Sequence, residues 1–486
     1  MSARIVFTGS QNERLRAWLE GHPEGHERAA LALFRKLDRS VAGLEASPRY
    51  VCVDVLELKD DWIVSSSVTH VRINMRLLPE FYLRCELEHL ELGFIHSHPV
   101  GAHAFSAIDD QNEQNLLRGY AGCNGTAVAL VALVLCEGRW HARTRSGATP
   151  KLSTPARHVA VLSDGIELHL GSSSGVEENF ASLARQETAF GKPFNRKLQS
   201  LRAIVIGAGG TGSALATLLA RCGIGELIVV DGDKLETSNL NRVRGYRVAD
   251  VDQNKADTLA RYIANLGLSC AVTSIAEFVD RSPDAVNAIS TADIIFGCTD
   301  DVGGRDVLTQ AMYYYCLPYI DVGLTGRIDH DEEGDPYLRD HRGRISVIAP
   351  EAGACLRCQR VVTEEKLAYE RAVRERPELK NVDKETLLRE YYLKGGGEAA
   401  PGVGPFTSMV ADFAISTFMN LVRRYRRLSE DFSADNVWID FVHLNFSSIE
   451  NIRNPNCFCC GKSGLLNASE NGYRLGMASL GKLPTP

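Results

Sequence analysis

Six residues, Gly207-Ala208-Gly209-Gly210-Thr211-Gly212, follow directly on the apolar run 203–206. Glycine at that spacing lets the backbone turn sharply out of a strand. Its amides, with the positive end of the next helix, can then face a phosphate. The surrounding text, LRAIVIGAGGTGSALATLLARCGIGELIVVDGD from Leu201, alternates strand, glycine turn, helix and strand, and the alternation continues to about residue 325. Such a pattern calls for a parallel sheet with crossover helices. Asp231 stands nineteen positions beyond Gly212, at the end of the second strand, where a ribose hydroxyl is read. Taken alone this specifies a dinucleotide fold, and an NAD-dependent dehydrogenase is one reading of it.

The residues after Asp231 argue for another. Asp233, Ser238, Asn239, Asn241 and Arg242 follow within a few turns, then Lys255, then Cys298-Thr299-Asp300. A dehydrogenase has no need of Asn, Arg and Lys converging on nucleotide phosphates. Adenylation does, because attack on the α-phosphate and departure of pyrophosphate develop negative charge that fixed cations and Mg²⁺ must stabilise. From about 180 to 461 the chain resembles the ubiquitin-activating-enzyme superfamily that includes ThiF and MoeB, enzymes that adenylate the C-terminal glycine of a ubiquitin-like protein. The resemblance implies ATP as cofactor, with Gly207, Gly209, Gly210 and Gly212 as the phosphate loop. It implies that Asp231 holds the ribose, that Asn239, Arg242 and Lys255 hold the phosphates, and that Asp300 binds magnesium. Arg185-Gln186 with Phe190-Gly191 resembles the family's leading helix, whose arginine reaches into the partner subunit's site, which implies a homodimer. Asp233 and Asp301 are supporting candidates.

Thirteen cysteines, an odd number scattered over 486 residues, do not form a secreted disulfide framework. Two pairs stand out, Cys355 with Cys358 and Cys457 with Cys460. Four thiolates in two such knuckles make a closed tetrahedral zinc site, structural rather than catalytic. Cys459 is the spare. A redox pair fits poorly, since neither pair opens a helix in a thioredoxin-like context. Residues 359–456, between the knuckles, contain no cysteine. Related activating enzymes that pass a modifier on as a thioester carry one there. The expectation is therefore direct transfer of the adenylate to a partner, with an oxyester on Thr407 or Ser408 as the lesser route. Cys298 and Cys316 are assigned to the core.

A further constellation lies near the amino terminus: His96-Ser97-His98-Pro99, six residues, then Ser106-Ala107-Ile108-Asp109. Two imidazoles two apart on a strand point the same way, and Asp109 at the start of the next helix can supply a third ligand. Three protein ligands leave one zinc position for water, and Ser106 can donate to an oxyanion. The alternative is two structural histidines and an aspartate that caps a helix. The whole pattern resembles, over residues 20 to 145, the signature of the JAB/MPN (JAMM) metalloproteases, which cleave isopeptide or peptide bonds after ubiquitin-like proteins. That likeness carries the catalytic zinc ligands onto His96, His98 and Asp109. The family's general base is a glutamate opening an early apolar strand. Glu27 fits best, with Glu45 and Glu57 as rivals, and His103 is read as a surface residue.

Apolar runs at 29–34, 50–56, 92–96 and 127–136, with helical patterns at 79–90 and 109–119, make residues 1–150 a mixed α/β domain of JAB/MPN type. The Ser, Thr, Gly and Pro text at 151–178 reads as a linker. Residues 179–466 form the Rossmann-like adenylation domain, with a crossover segment at about 360–405 and a glycine cluster at 395–397. A tail, 467–486, follows.

Hydrophobic residues are 44% and charged residues 24%, ordinary for a folded chain, and the balance of 54 basic against 61 acidic residues gives a net charge of −7. That balance argues against nucleic acid or an anionic membrane as the main partner. The longest apolar stretch, 126–136, is too short to span a bilayer. Charges at Glu13, Arg14 and Arg16 interrupt any signal-peptide core, so a cytoplasmic setting is expected. The fusion implies one bacterial-type pathway, in which a zinc peptidase trims or deconjugates a ubiquitin-like modifier and the second domain activates its carboxyl terminus. A conjugating-enzyme-like partner is expected. Such fusions resemble bacterial ubiquitin-like conjugation systems, some of which serve in defence against phage. Sulfur-carrier activation is the alternative, and a non-catalytic scaffold a third.

Overall fold

The computed structural model describes residues 2–99, 105–171, 181–382, 384–391, 402–429 and 432–461. The first half builds strand β1 (Arg4–Thr8), helix α1 (Gly9–Glu20), β2 (Ala29–Leu37), β3 (Arg49–Glu57), β4 (Ile63–Ser66), β5 (Val71–Ile73) and α2 (Pro79–Glu88). It continues with β6 (Glu91–His98), α3 (Ala107–Asn124), β7 (Ala129–Cys136), β8 (Arg139–Ser146), β9 (Thr154–Pro155), β10 (His158–Leu162) and β11 (Ile166–Leu170). Nine of these strands form one sheet in the order β11-β10-β1-β3-β2-β6-β7-β8-β9, and β4 and β5 make a separate ribbon. Strand β7, ALVALVLC, is buried at every position, as befits a strand covered on both faces.

The second half begins with α4 (Ala184–Phe190) and α5 (Lys192–Gln199). It then alternates β12 (Arg202–Ile206), α6 (Gly210–Arg221), β13 (Glu226–Val230), α7 (Lys255–Ala264), β14 (Ala271–Ile275), α8 (Pro283–Thr291), β15 (Ile294–Gly297), α9 (Val302–Tyr314) and β16 (Tyr319–His330). Strand β17 (Pro336–Ile348), α10 (Glu364–Glu375), α11 (Lys384–Tyr391), α12 (Gly404–Val422), β18 (Asn436–Asp440) and β19 (Asn445–Ser448) complete it. The sheet order is β14-β13-β12-β15-β16-β17-β18-β19, parallel as far as β16 and antiparallel beyond. Strand order reverses between β12 and β15, and the glycine loop leaves β12 at that point, where open α/β sheets bind ligands. Helix α6 is buried along most of its length, covered by α12.

One sequence expectation needs correction. The stretch 151–178 is not a linker as far as residue 171: β10 pairs in parallel with β1, and β11 closes that edge. Short apolar strands between Ser- and Gly-rich turns gave it a linker's composition. Residues 172–180, the glycines 395–397, His103 and the tail 467–486 lie outside the described residues.

The two sheets share one core. Val6, Val51, Leu162 and Leu168 of the first pack in the same apolar cluster as Phe194, Leu215 and Phe418 of the second. Buried arginines cross the same boundary. Arg4 donates to Asp293 at 3.1 Å, Arg35 to the carbonyl of Tyr314 at 2.8 Å, and Arg49 to those of Tyr315 and Cys316 at 2.5 and 2.6 Å. The last three cap the carboxyl end of α9, where cations are stabilised by the helix dipole. No helix among the described residues is long and apolar enough to cross a membrane.

Candidate functional site

The first constellation assembles on β6. His96 and His98 lie on one face of the strand, their Nε2 atoms 3.0 Å apart, and both are buried. Arg28 extends the β2 ladder, since Ser97 donates its amide to the Arg28 carbonyl at 3.0 Å. That extension brings the preceding Glu27 to 3.9 Å from His98 Nε2. Glu27, His96 and His98 form a cluster whose ligand atoms all lie within 4.8 Å of one another. Asp109 approaches from the first turn of α3, 2.9 Å from His96 Nε2 and 3.5 Å from His98 Nε2. Burial raises the Glu27 carboxyl above its usual range, against the pull of the two imidazoles. Burial would raise Asp109 too, but hydrogen bonds from both histidines hold it far below the usual carboxylate range.

Ser106 caps α3 instead of standing open toward an oxyanion. Its amide and hydroxyl donate to Asp109 Oδ2 at 2.6 and 2.8 Å, and its oxygen accepts from the Asp109 amide at 3.2 Å. The helix is further anchored by Glu113, one turn on and fully buried, which accepts from Arg143 and Arg145 of β8. Sequence reasoning missed this group, because nothing local pairs a helix glutamate with a strand thirty residues away. Of the rival bases, Glu57 is engaged by Arg14 at 2.9 Å and Glu45 is exposed.

At the second sheet, Gly207 has φ +95°, and a Cβ there would come 2.7 Å from the Cys298 carbonyl, so glycine is required twice over. Gly212 cannot carry a side chain either, because it would overlap the Gly207 carbonyl. The space over Gly209 is open, and over Gly210 the neighbours are Arg242 and Thr407. Asp231 accepts from the Ala208 amide at 2.6 Å and from Asp233 at 2.8 Å, and burial still raises its carboxyl. Lys255 pairs with Asp233 at 3.1 Å. Tyr246, not singled out in the sequence, ties the glycine loop to α7 by donating to Ala208 O, 2.9 Å, and lies 3.1 Å from Lys255 O.

Arg242 reaches the Ser238 carbonyl at 2.8 Å, and Asn239 closes its own turn by accepting from Glu236. Asp300 and Arg185 are exposed, and Asp301 caps α9. Thr407 is buried at the start of α12, donating to Gly404 O at 3.0 Å. Cys316 is buried as expected, while Cys298 is half-buried behind the glycine loop. The knuckle cysteines Cys355, Cys358, Cys457 and Cys460 converge, with sulfur pairs 3.6 and 3.5 Å apart, near the ~3.8 Å edge of a tetrahedral ZnS₄ site. Cys459 is fully buried beside them.

Residues 183–459 match the ThiF family model. The chain is 31% identical over 173 residues to the adenylyltransferase and sulfurtransferase MOCS3-1 of Zea mays, covering 35% of this chain and 36% of that protein. It is 29% identical over 162 residues to the SAMP-activating enzyme E1 of Haloferax volcanii, covering 33% and 54%. With the molybdopterin-synthase adenylyltransferase of Escherichia coli it shares 24% identity over 267 residues, covering 54% and 89%. The match thus spans about a third of the length of the maize protein. Because the family model covers more than half of the 486 residues, the chain belongs to the ThiF family.

Proposed function

We propose that the second half is an ATP-dependent adenylyltransferase acting on the C-terminal carboxylate of a ubiquitin-like or sulfur-carrier protein. The observation that carries this is the gathering of an open glycine loop, Asp231, Arg242 and Lys255 at the carboxyl edge of the parallel sheet, where strand order reverses. In the reaction a carboxylate oxygen forms a bond to the α-phosphorus and the bridging P–O bond breaks. Pyrophosphate leaves with the electron pair, and no proton moves. Amides at the start of α6, Arg242 and Lys255 meet the charge that develops, which is where such a reaction gains most. Asp300 would hold magnesium, which supplies further neutralisation of the phosphates. Pyrophosphate exchange dependent on such a protein tests the reading.

The first half is proposed as a zinc peptidase of JAB/MPN type that trims or deconjugates the same protein. Buried Nε2 atoms of His96 and His98 facing one another beside the Asp109 carboxylate fit a metal site better than a structural core. His96, His98 and Asp109 would hold zinc, which supplies a water that ionises near neutral pH. Glu27 would take a proton from the attacking water and pass it to the leaving amine. Retained zinc with lost isopeptide cleavage in Glu27→Gln tests the assignment. Cys355, Cys358, Cys457 and Cys460 would hold a second, structural zinc. A cytoplasmic homodimer in which Arg185 enters the partner's site, and hand-over to a conjugating-enzyme-like protein, complete the reading. A co-purifying sulfurtransferase would favour the sulfur-carrier alternative.

A further inference from the structure

The carboxyl end of the parallel sheet carries a buried charge group that none of the steps above uses. Asp321 of β16 lies beside Gly297 of β15 in the sheet and is fully buried. Three donors converge on it: Tyr319 Oη at 2.6 Å, Arg305 Nε at 3.3 Å and Arg344 Nη2. One carboxylate therefore faces two guanidinium groups, whose side chains are only 13% and 7% exposed. The other bonds of Arg305 go to the carbonyls of Asp300 and Val322 at 3.3 and 3.4 Å, and Arg344 Nη1 donates to Ser346 at 2.6 Å. Asp301, which caps α9, also acts on Arg305, but the remaining acceptors are neutral, so Arg344 keeps positive charge that Asp321 must share between two guanidinium groups. Lys366 of α10 adds to it, its ammonium pushed down by burial and then by Arg305, Arg344 and Arg360. Desolvated charge of one sign is costly unless an opposite charge meets it.

Gly323 shows from which side that charge can be met. Its backbone is outside the left-handed region, so glycine is not needed for conformation. A Cβ at 323 would stand 3.1 Å from Arg344 Nη2 and 3.5 Å from Arg305 Nη2. Glycine, half-exposed at this position, places no side chain between that face and the two guanidinium groups. Arg305 also touches the loop that carries Asp300, so the pair adjoins the nucleotide loop across the β15–β16 edge.

We propose that Arg305 and Arg344 receive the carboxylate of the protein substrate's C-terminus, with Gly323 keeping the approach open. The inference rests on the adenylation reading and names the residues that position its nucleophile. Planar guanidinium forks match a carboxylate's two oxygens, and a single negative charge balances the surplus. The carboxylate then stands on the β16 side of the loop, with the phosphates on the β12 side.

The test uses a synthetic peptide ending in Gly-Gly, as the free carboxylate and as the carboxamide, titrated into the full chain loaded with Mg²⁺ and α,β-methylene ATP. The wild type should bind the carboxylate at least about tenfold more tightly than the carboxamide, a difference of about 1.4 kcal/mol. Arg344→Met should bring that ratio close to one while nucleotide affinity changes less than about twofold, the scatter expected of an independent site. Gly323→Ala keeps both charges and should do the same, which preserves the test if Arg344→Met fails to fold. A preference that survives in either folded variant, or its absence in a wild type that binds nucleotide, overturns the proposal. A wild type that binds no nucleotide defeats the adenylation reading itself, and the proposal with it.

Discussion

The two candidate centres differ in how far the fold alone assembles them. At the end of the first sheet Glu27, His96, His98 and Asp109 are all buried, with Asp109 against both imidazoles and Glu27 3.9 Å from His98. Two strands and one capped helix supply them, so ladder hydrogen bonds and the Ser106 cap fix their positions. At the second sheet Asp300 is exposed, Lys255 is paired with Asp233, and Arg242 reaches a carbonyl of its own turn. Those side chains come from loops and helix starts. A metal site must be pre-organised because its ligands set the geometry. A nucleotide site can leave its cations paired elsewhere until phosphate displaces the partner.

The largest way to break the contrast is at the knuckles. Cys355→Ser with Cys457→Ser should abolish zinc binding there and with it soluble, folded protein, since a structural zinc site contributes directly to folding free energy. Metal analysis and a thermal melt read both effects. Next comes the first centre. Glu27→Gln should keep its zinc and lose about 10² to 10⁴ in cleavage, the usual range for a general base, whereas His96→Ala should lose the metal as well. A Glu27→Gln protein that cleaves at the wild-type rate returns the role to Glu57 or Glu45.

At the second centre, Arg242→Ala or Asp300→Ala should lower pyrophosphate exchange on the order of a hundredfold, by analogy with a lost oxyanion donor. Asp300 is exposed and Arg242 half-buried, both outside the apolar cores, so the melting temperature should barely move. If either variant melts as much lower as a buried-site variant does, the loop is part of the scaffold, and the contrast between the centres fails.

A separate effect, on stability alone, concerns Glu91, the first residue of β6, whose carboxyl burial pushes up to about 7. The folded state favours its neutral form. Its contribution is therefore fully present below about pH 4.5 and lost as pH rises through about 7, up to about 3 kcal/mol over the window. Glu91→Gln should flatten that part of the stability–pH profile, read by chemical denaturation between pH 5 and 8. An unchanged slope would show that Glu91 is ionised without cost in the native sheet.

Much of each centre could be read from local text. Gly207 to Gly212 and Asp231 lie within one β-α-β unit, and His96, His98 and Asp109 within fourteen residues, so motif spacing, periodicity and the family resemblances together put them on strand, loop and helix start. What escaped depends on partners distant in sequence. The pairing of β10 with β1 turned an expected linker into sheet. Ser106 proved to hold Asp109, because a cap is a matter of backbone geometry. The Asp321, Arg305 and Arg344 group joins three elements through side chains that look like surface charges one by one. Buried charge networks of this kind carry no periodic signal.

Formation of an acyl-adenylate by this chain is tested most directly by exchange of labelled pyrophosphate into ATP, with Mg²⁺ and with a ubiquitin-like or sulfur-carrier protein added or withheld. Exchange that appears only when a protein ending in a free C-terminal glycine is supplied, and that disappears in Arg242→Ala, is the expected result. Tight binding of NAD with no exchange under any of these conditions would contradict it.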